Sequence, residues 1–217
     1  MIFKLSLQEI LILVPILLLS LSVHEFSHGM VSTLLGDSTP GRDGRLTINP
    51  LRHLDLFGTL MLLTAGFGWA KPVRIDISSY KNKYSGLVLT SLAGPLSNFL
   101  IAVLFTLFLR LIVVNDAFKF MQTESVINII QYVMIINILL FIFNMIPIPP
   151  LDGSRIITAL FNRNREFVQN YNRYGVYFLL ALLMMDRFFD VEILPISRMM
   201  SSILRLMISL VIPEAAG

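Results

Sequence analysis

Two uncharged runs constrain this chain more than any other feature: Ser85–Leu109, 25 residues, and Ser125–Leu151, 27 residues. A helix needs about 20 apolar residues to cross the hydrocarbon core of a bilayer. Both runs are long enough, and neither holds a charge that lipid would have to accommodate. The composition agrees: 14% of the 217 residues are charged, 55% are hydrophobic and the mean hydropathy is +0.75. A water-soluble globule with so little charge would present large apolar patches to solvent. This excludes an ordinary soluble domain and a disordered chain, and it indicates a membrane protein. The length allows about five or six spans with short connections, and no separate soluble domain of about 100 residues.

Other segments are read against these two. The chain is charge-free from Ile10 to Val23, passes through His24-Glu25-Phe26-Ser27-His28, and stays uncharged to Gly36. A helix is expected over about Gln8–Leu35; no small-residue cleavage site marks a signal peptide. Gly36 to Asp55 is polar, with turn signals at Gly36, Pro40, Gly41 and Gly44, and Arg45–Asn49 alternates as a short strand would. Leu56–Ala70 is uncharged but, at 15 residues, short for a span, and it carries Gly58, Gly66 and Gly68. A tilted helix and a re-entrant strand or hairpin both fit it. Pro147, Pro149 and Pro150 end the helix of the last long run. Beyond it, Gly175–Met185 and Glu192–Pro213 read as one weak span plus an amphipathic surface helix. Lysines and arginines gather in 71–84 and 155–173, which the positive-inside rule assigns to the cytoplasm.

Cysteine is absent, so disulfides, thiolate catalysis and iron–sulfur clusters are excluded. No basic stripe interleaved with aromatics points to nucleic acid, which is not expected as a partner. The net charge of +3 bears on orientation instead. Any transition-metal site must be built from carboxylates and the three histidines. His24-Glu25-Phe26-Ser27-His28 has the form HExxH. Residues four apart share a helix face, so both imidazoles can bind one zinc while the adjacent glutamate reaches a metal-activated water. Three ionisable residues within five positions of an apolar helix are costly to insert, at about 2.5–3.5 kcal/mol each, which argues for a use. The alternative is a polar interhelical network without metal.

Catalytic zinc takes three protein ligands and keeps one position open. Asp152 follows the proline-broken run and precedes Gly153, so unwound backbone could return its carboxylate to the bundle. It could equally cap a helix over Ser154–Phe161 and pair with Arg155. His53 is the next candidate. Asn144 could donate to a developing oxyanion or bond carbonyls freed by the prolines. Asn98 reads as a helix-packing residue and Trp69 as an interfacial anchor.

Four stretches together resemble the site-2 protease family of intramembrane zinc metalloproteases: Val23–Gly29 around the two histidines, Gly68–Val73, Ala93–Asn98, and Asn144–Gly153 with its Leu-Asp-Gly ending. Asn49–Asp55 resembles a stretch common in small bacterial members. The resemblance spans roughly residues 23–153. It implies that Asp152 is the third ligand of one Zn2+ per chain, beside His24 and His28, with Glu25 as general base and Asn144 near the substrate backbone. It also implies a re-entrant β-like element, which would pair with an unwound substrate. No inserted PDZ or appended CBS domain is visible.

The expected fold is an all-α polytopic membrane protein with about four to six transmembrane helices and a small re-entrant β-like element. It forms one integral membrane domain over 1–217, with a metalloprotease core at about 8–161 and C-terminal helices within 174–213. The expected function is zinc-dependent endopeptidase action in or near the transmembrane segment of a single-span or other membrane-protein substrate. The expected place is the plasma membrane, with the active site nearer the cytoplasmic side. A proton- or metal-conducting transporter and a catalytically inactive binding protein are the alternatives; transport would survive Glu25→Gln, whereas proteolysis would not. The oligomeric state is not legible.

Overall fold

The computed structural model describes residues 6–55, 58, 71–189 and 194–211. Its helices are α1 (Leu7–Leu34), α2 (Thr39–Arg42), α3 (Pro50–His53), α4 (Lys83–Val114), α5 (Glu124–Met145), α6 (Asp152–Leu160), α7 (Arg165–Phe189) and α8 (Ile196–Val211). Among the described residues there is no strand, and three helices, α1, α4 and α5, are long and apolar enough to cross a membrane. The chain is an all-α integral membrane protein. The expected re-entrant element at 56–70 lies, Gly58 apart, outside the described residues.

The local signals act as their chemistry dictates. Ser6 and Glu9 close a reciprocal capping box at the start of α1. Asn82 and Thr123 cap α4 and α5 with side-chain oxygens. Helix α5 stops at Met145, two residues before Pro147. The expected strand at Arg45–Asn49 does not form. Its polar groups are bonded locally instead: the Thr47 carbonyl accepts from His53 Nε2 at 2.7 Å and the Thr47 hydroxyl accepts from the Asn49 amide at 3.1 Å. The short run 175–185 falls within the second half of α7, whose first half comes from the polar stretch before it.

Helix α4 is the hub and packs against α1, α5, α6 and α8. Its sides are sorted by size rather than by polarity. Gly86, Thr90, Gly94, Asn98, Ala102 and Thr106, each four residues after the last, are buried. Leu89, Leu96, Leu100, Leu104, Leu107 and Leu111 are exposed. Lipid is as apolar as leucine, so leucine gains nothing by leaving it, whereas small residues let helices approach and polar ones find partners inside. The apolar core, including Ala102, Ile112, Met134, Ile138 and Met207, lies between α4, α5 and α8.

Buried Asp37 ties the loops to this frame. Its carboxylate accepts from the amides of Thr39 and Asp76 and from the Ser32 hydroxyl, each at 2.8 Å. A carboxylate only accepts, which sets the direction of the chain behind it: Tyr80 donates to Ser32 at 2.7 Å and Thr90 donates to Tyr80 at 3.1 Å. Burial works to raise the Asp37 carboxyl, but the hydrogen bonds outweigh it and hold it below its ordinary 3.8. Its stabilisation is therefore complete above that value and is lost as the pH falls through the lower, folded one. Asp37→Asn should lower the thermal midpoint in detergent at pH 7, at a cost of about 1–3 kcal/mol. The gap between wild type and variant should narrow as the pH drops below 3.8.

Candidate metal centre

Two stripes meet where α1 crosses α4. On α1, Ser20, His24, His28 and Ser32 recur every four residues and all are buried. On α4, the matching positions are Thr90, Gly94 and Asn98. The helices run antiparallel here. His24 Nδ1 faces Asn98 Oδ1 at 2.6 Å, and His28 Nδ1 faces the Thr90 carbonyl at 2.6 Å. Gly94 lies between them. A Cβ there would overlap Nε2 of His28 and stand 2.6 Å from Nε2 of His24. The missing side chain leaves the space into which both rings point.

Asp152 arrives from the other side. After α5 the chain bends through Pro147–Leu151, with a cis peptide between Pro149 and Pro150. It re-enters as α6, of which Asp152 is the first residue. Gly153 permits the return, because a Cβ there would run into the Met145 carbonyl. Asp152 is not the cap of α6; Leu151 holds that position. Its Oδ1 lies 4.0 Å from Arg155, and Oδ2 lies 3.1 Å from Nε2 of each histidine.

The donor set fits zinc. The Thr90 carbonyl can only accept, so His28 carries its proton on Nδ1. The Asn98 oxygen places the His24 proton on Nδ1 likewise. Both neutral rings then turn lone pairs on Nε2 toward each other, 3.1 Å apart, and toward a carboxylate oxygen. Three lone pairs this close repel unless a cation lies among them. Tetrahedral zinc with bonds of about 2.0–2.1 Å has ligand-to-ligand edges of about 3.3 Å, close to this triangle. Among the described residues, His24, His28 and Asp152 are the only such group of three or more.

Glu25 is half-buried beside the triangle, and its Oε2 accepts from the Val73 amide at 2.8 Å. The extended segment 71–76 that supplies this amide is fixed at both ends, by Lys71 N to the His53 carbonyl at 2.7 Å and Asp76 N to Asp37 at 2.8 Å. His53 is thus in the loop support, with Nε2 on Thr47, and is not brought to the triangle. Asn144 donates to the Leu140 carbonyl of its own helix at 3.0 Å. Trp69 lies outside the described residues. Sequence reasoning missed Ser20, Asn137 and the Val73 amide. The four-residue spacing of Ser20 from His24, and an amide in the middle of an uncharged run, were signals for the first two.

The model of the family described as "Peptidase family M50" matches residues 110–185, a stretch that holds Asp152 and Asn144 but not the two histidines. The chain is 40% identical over 161 residues to "Putative zinc metalloprotease YwhC" of Bacillus subtilis (strain 168), covering 73% of this chain and 72% of that one. It is 30% identical over 142 residues to "Putative zinc metalloprotease Rip2" of Mycolicibacterium smegmatis (strain ATCC 700084 / mc(2)155), covering 63% of this chain and 52% of that one. No solved structure matches at the same level of significance.

Metal analysis of the purified chain tests the triangle. His24→Ala, Asp152→Ala and Gly94→Ala should each lose most of the bound zinc, the last because its methyl group fills the ligand space. Leu100→Ala, on the lipid-facing side of α4, should retain it.

Proposed function

We propose, on the premise that this chain belongs to peptidase family M50 and is a zinc metalloprotease of the membrane, that it cuts a peptide bond in or near the transmembrane segment of another membrane protein, the step known as regulated intramembrane proteolysis. The observation that carries this reading is the convergence of two imidazoles and a carboxylate within 3.1 Å, beside a glutamate held by a backbone amide. One zinc ion per chain would be held by His24, His28 and Asp152. When bound, zinc supplies Lewis acidity, polarising a carbonyl and acidifying water.

The protein's own groups do the rest. Glu25 is the general base: it takes a proton from the attacking water and returns it to the leaving amine. The Val73 amide fixes Oε2, so proton transfer falls to Oε1. Asn144 is assigned to the substrate backbone or the oxyanion, for which its amide would have to exchange Leu140 for substrate.

Depth and access follow from the helices. His28 and His24 lie six and ten residues inside the end of α1. At 1.5 Å per residue the site is about 9–15 Å in from that end, within a hydrocarbon core of about 30 Å. The cationic loops gather at this end, which by the positive-inside rule is the cytoplasmic one, in a plasma membrane. Water would enter there, where a cavity of about 440 Å³ lined by Asp43, Arg45, Lys71, Pro72 and Arg74 borders the segment that holds Glu25. A helical substrate hides its peptide bonds, so the substrate segment must unwind, and helix-breaking residues are expected near the cut.

Co-expression with candidate single-span proteins tests the proposal. Wild type should convert a true substrate, and Glu25→Gln should leave it uncut while the purified variant still binds zinc, with a rate loss of at least about 10²-fold. Equal processing by both would overturn it.

A further inference from the structure

Metal-binding histidines are usually oriented by a carboxylate or a backbone carbonyl on the second ring nitrogen. His28 follows that rule with the Thr90 carbonyl. His24 has a side-chain amide instead, and this changes what is required. A carbonyl or a carboxylate accepts at either lone pair or either oxygen. An amide accepts at one end only; turned over, it would present N–H to Nδ1 and draw the His24 proton to the nitrogen that faces the metal. Something must therefore fix which way Asn98 points.

The structure contains such a device, and it runs onto a third helix. Asn98 Nδ2 donates to the Ser20 carbonyl at 3.2 Å and to Asn137 Oδ1 at 2.9 Å. Asn137 is fixed in turn. Its Nδ2 donates to the Val133 carbonyl at 2.8 Å and to the Ser20 hydroxyl at 2.9 Å. The Val133 and Ser20 carbonyls can only accept, so the two amides have one consistent arrangement, ending with Asn98 Oδ1 on His24 Nδ1. Asn98 and Asn137 are both fully buried. Every polar group in the chain is neutral, so it brings no second charge into the bilayer core.

We infer that Asn137, on α5, with Ser20, sets the tautomer of His24 through Asn98 and so acts as a positioning residue for the metal without touching any member of the triangle. The inference rests on the proposed zinc site and makes a prediction that ordinary packing does not. A leucine at position 98 has no amide to orient. Asn137 should therefore matter when residue 98 is an amide and cease to matter when it is leucine.

The experiment is a double-mutant cycle on the full-length chain in detergent, read as zinc affinity by competition with a chromogenic chelator. The absorption of the cobalt-substituted protein gives a second, geometric readout. Asn98→Leu should weaken zinc binding about 10–100-fold. Asn137→Leu should weaken it severalfold in the wild-type background and add no further loss in the Asn98→Leu background. Asn137→Ala reads the same contrast if the leucine variant does not fold. An equal loss in both backgrounds, or none in either, would overturn the inference. A wild-type chain that takes up no zinc would instead overturn the site on which it rests.

Discussion

The close approach of α1 and α4 at Gly94 is the contact on which the rest of the site depends. Only hydrogen at that position lets two imidazoles turn their Nε2 atoms into the same space. Once the helices are that close, Thr90 and Asn98, four residues to either side of Gly94, reach the two Nδ1 atoms. One contact thus fixes helix separation, ring orientation and protonation together. It also explains why the buried side of α4 carries small and polar residues while leucines face outward. Inside a bilayer, close packing and hydrogen bonding hold helices together, because apolar burial gains little over lipid.

The loops work on the same principle at one remove. Asp37, Ser32, Tyr80 and Thr90 form a hydrogen-bonded line from a surface turn to the residue whose carbonyl holds His28. The segment 71–76 lies between the carboxylates of Asp37 and Glu25 and donates an amide to each. The proposed general base is therefore held by backbone, which presents the same donor whatever residue other than proline stands at 73. Buried polar groups of this kind are tolerable only when every partner is present. Support for Glu25 and support for His28 thus pass through one network.

Much of this was legible in advance. The uncharged runs announced the spanning helices, and the prolines after Met145 announced where the third would stop. HExxH placed two imidazoles together with a carboxylate beside them, because helical periodicity alone puts His24 and His28 on one face. Asp152 was left open between ligand and helix cap, and the structure decides where it stands: Leu151 takes the cap position and the Asp152 carboxylate faces both rings. The expected strand at Arg45–Asn49 failed because alternation records which residues could face a sheet and says nothing of whether a partner strand exists. Here His53 takes the Thr47 carbonyl instead.

The sequence alone determined the solvent this chain folds in, the helices that cross it and the chemical kinds of group they carry, since hydropathy and four-residue spacing are properties of a single segment. Tertiary structure decided which groups meet. The return of Asp152, the amide from Val73 and the link from Asn137 to His24 join residues 124, 48 and 113 positions apart, counted from His28 to Asp152, Glu25 to Val73 and His24 to Asn137. No local periodicity encodes such pairings. They follow from the register in which the stripes of α1 and α4 lock, and that register is set by the absence of a side chain at Gly94 and the need of every buried donor for an acceptor.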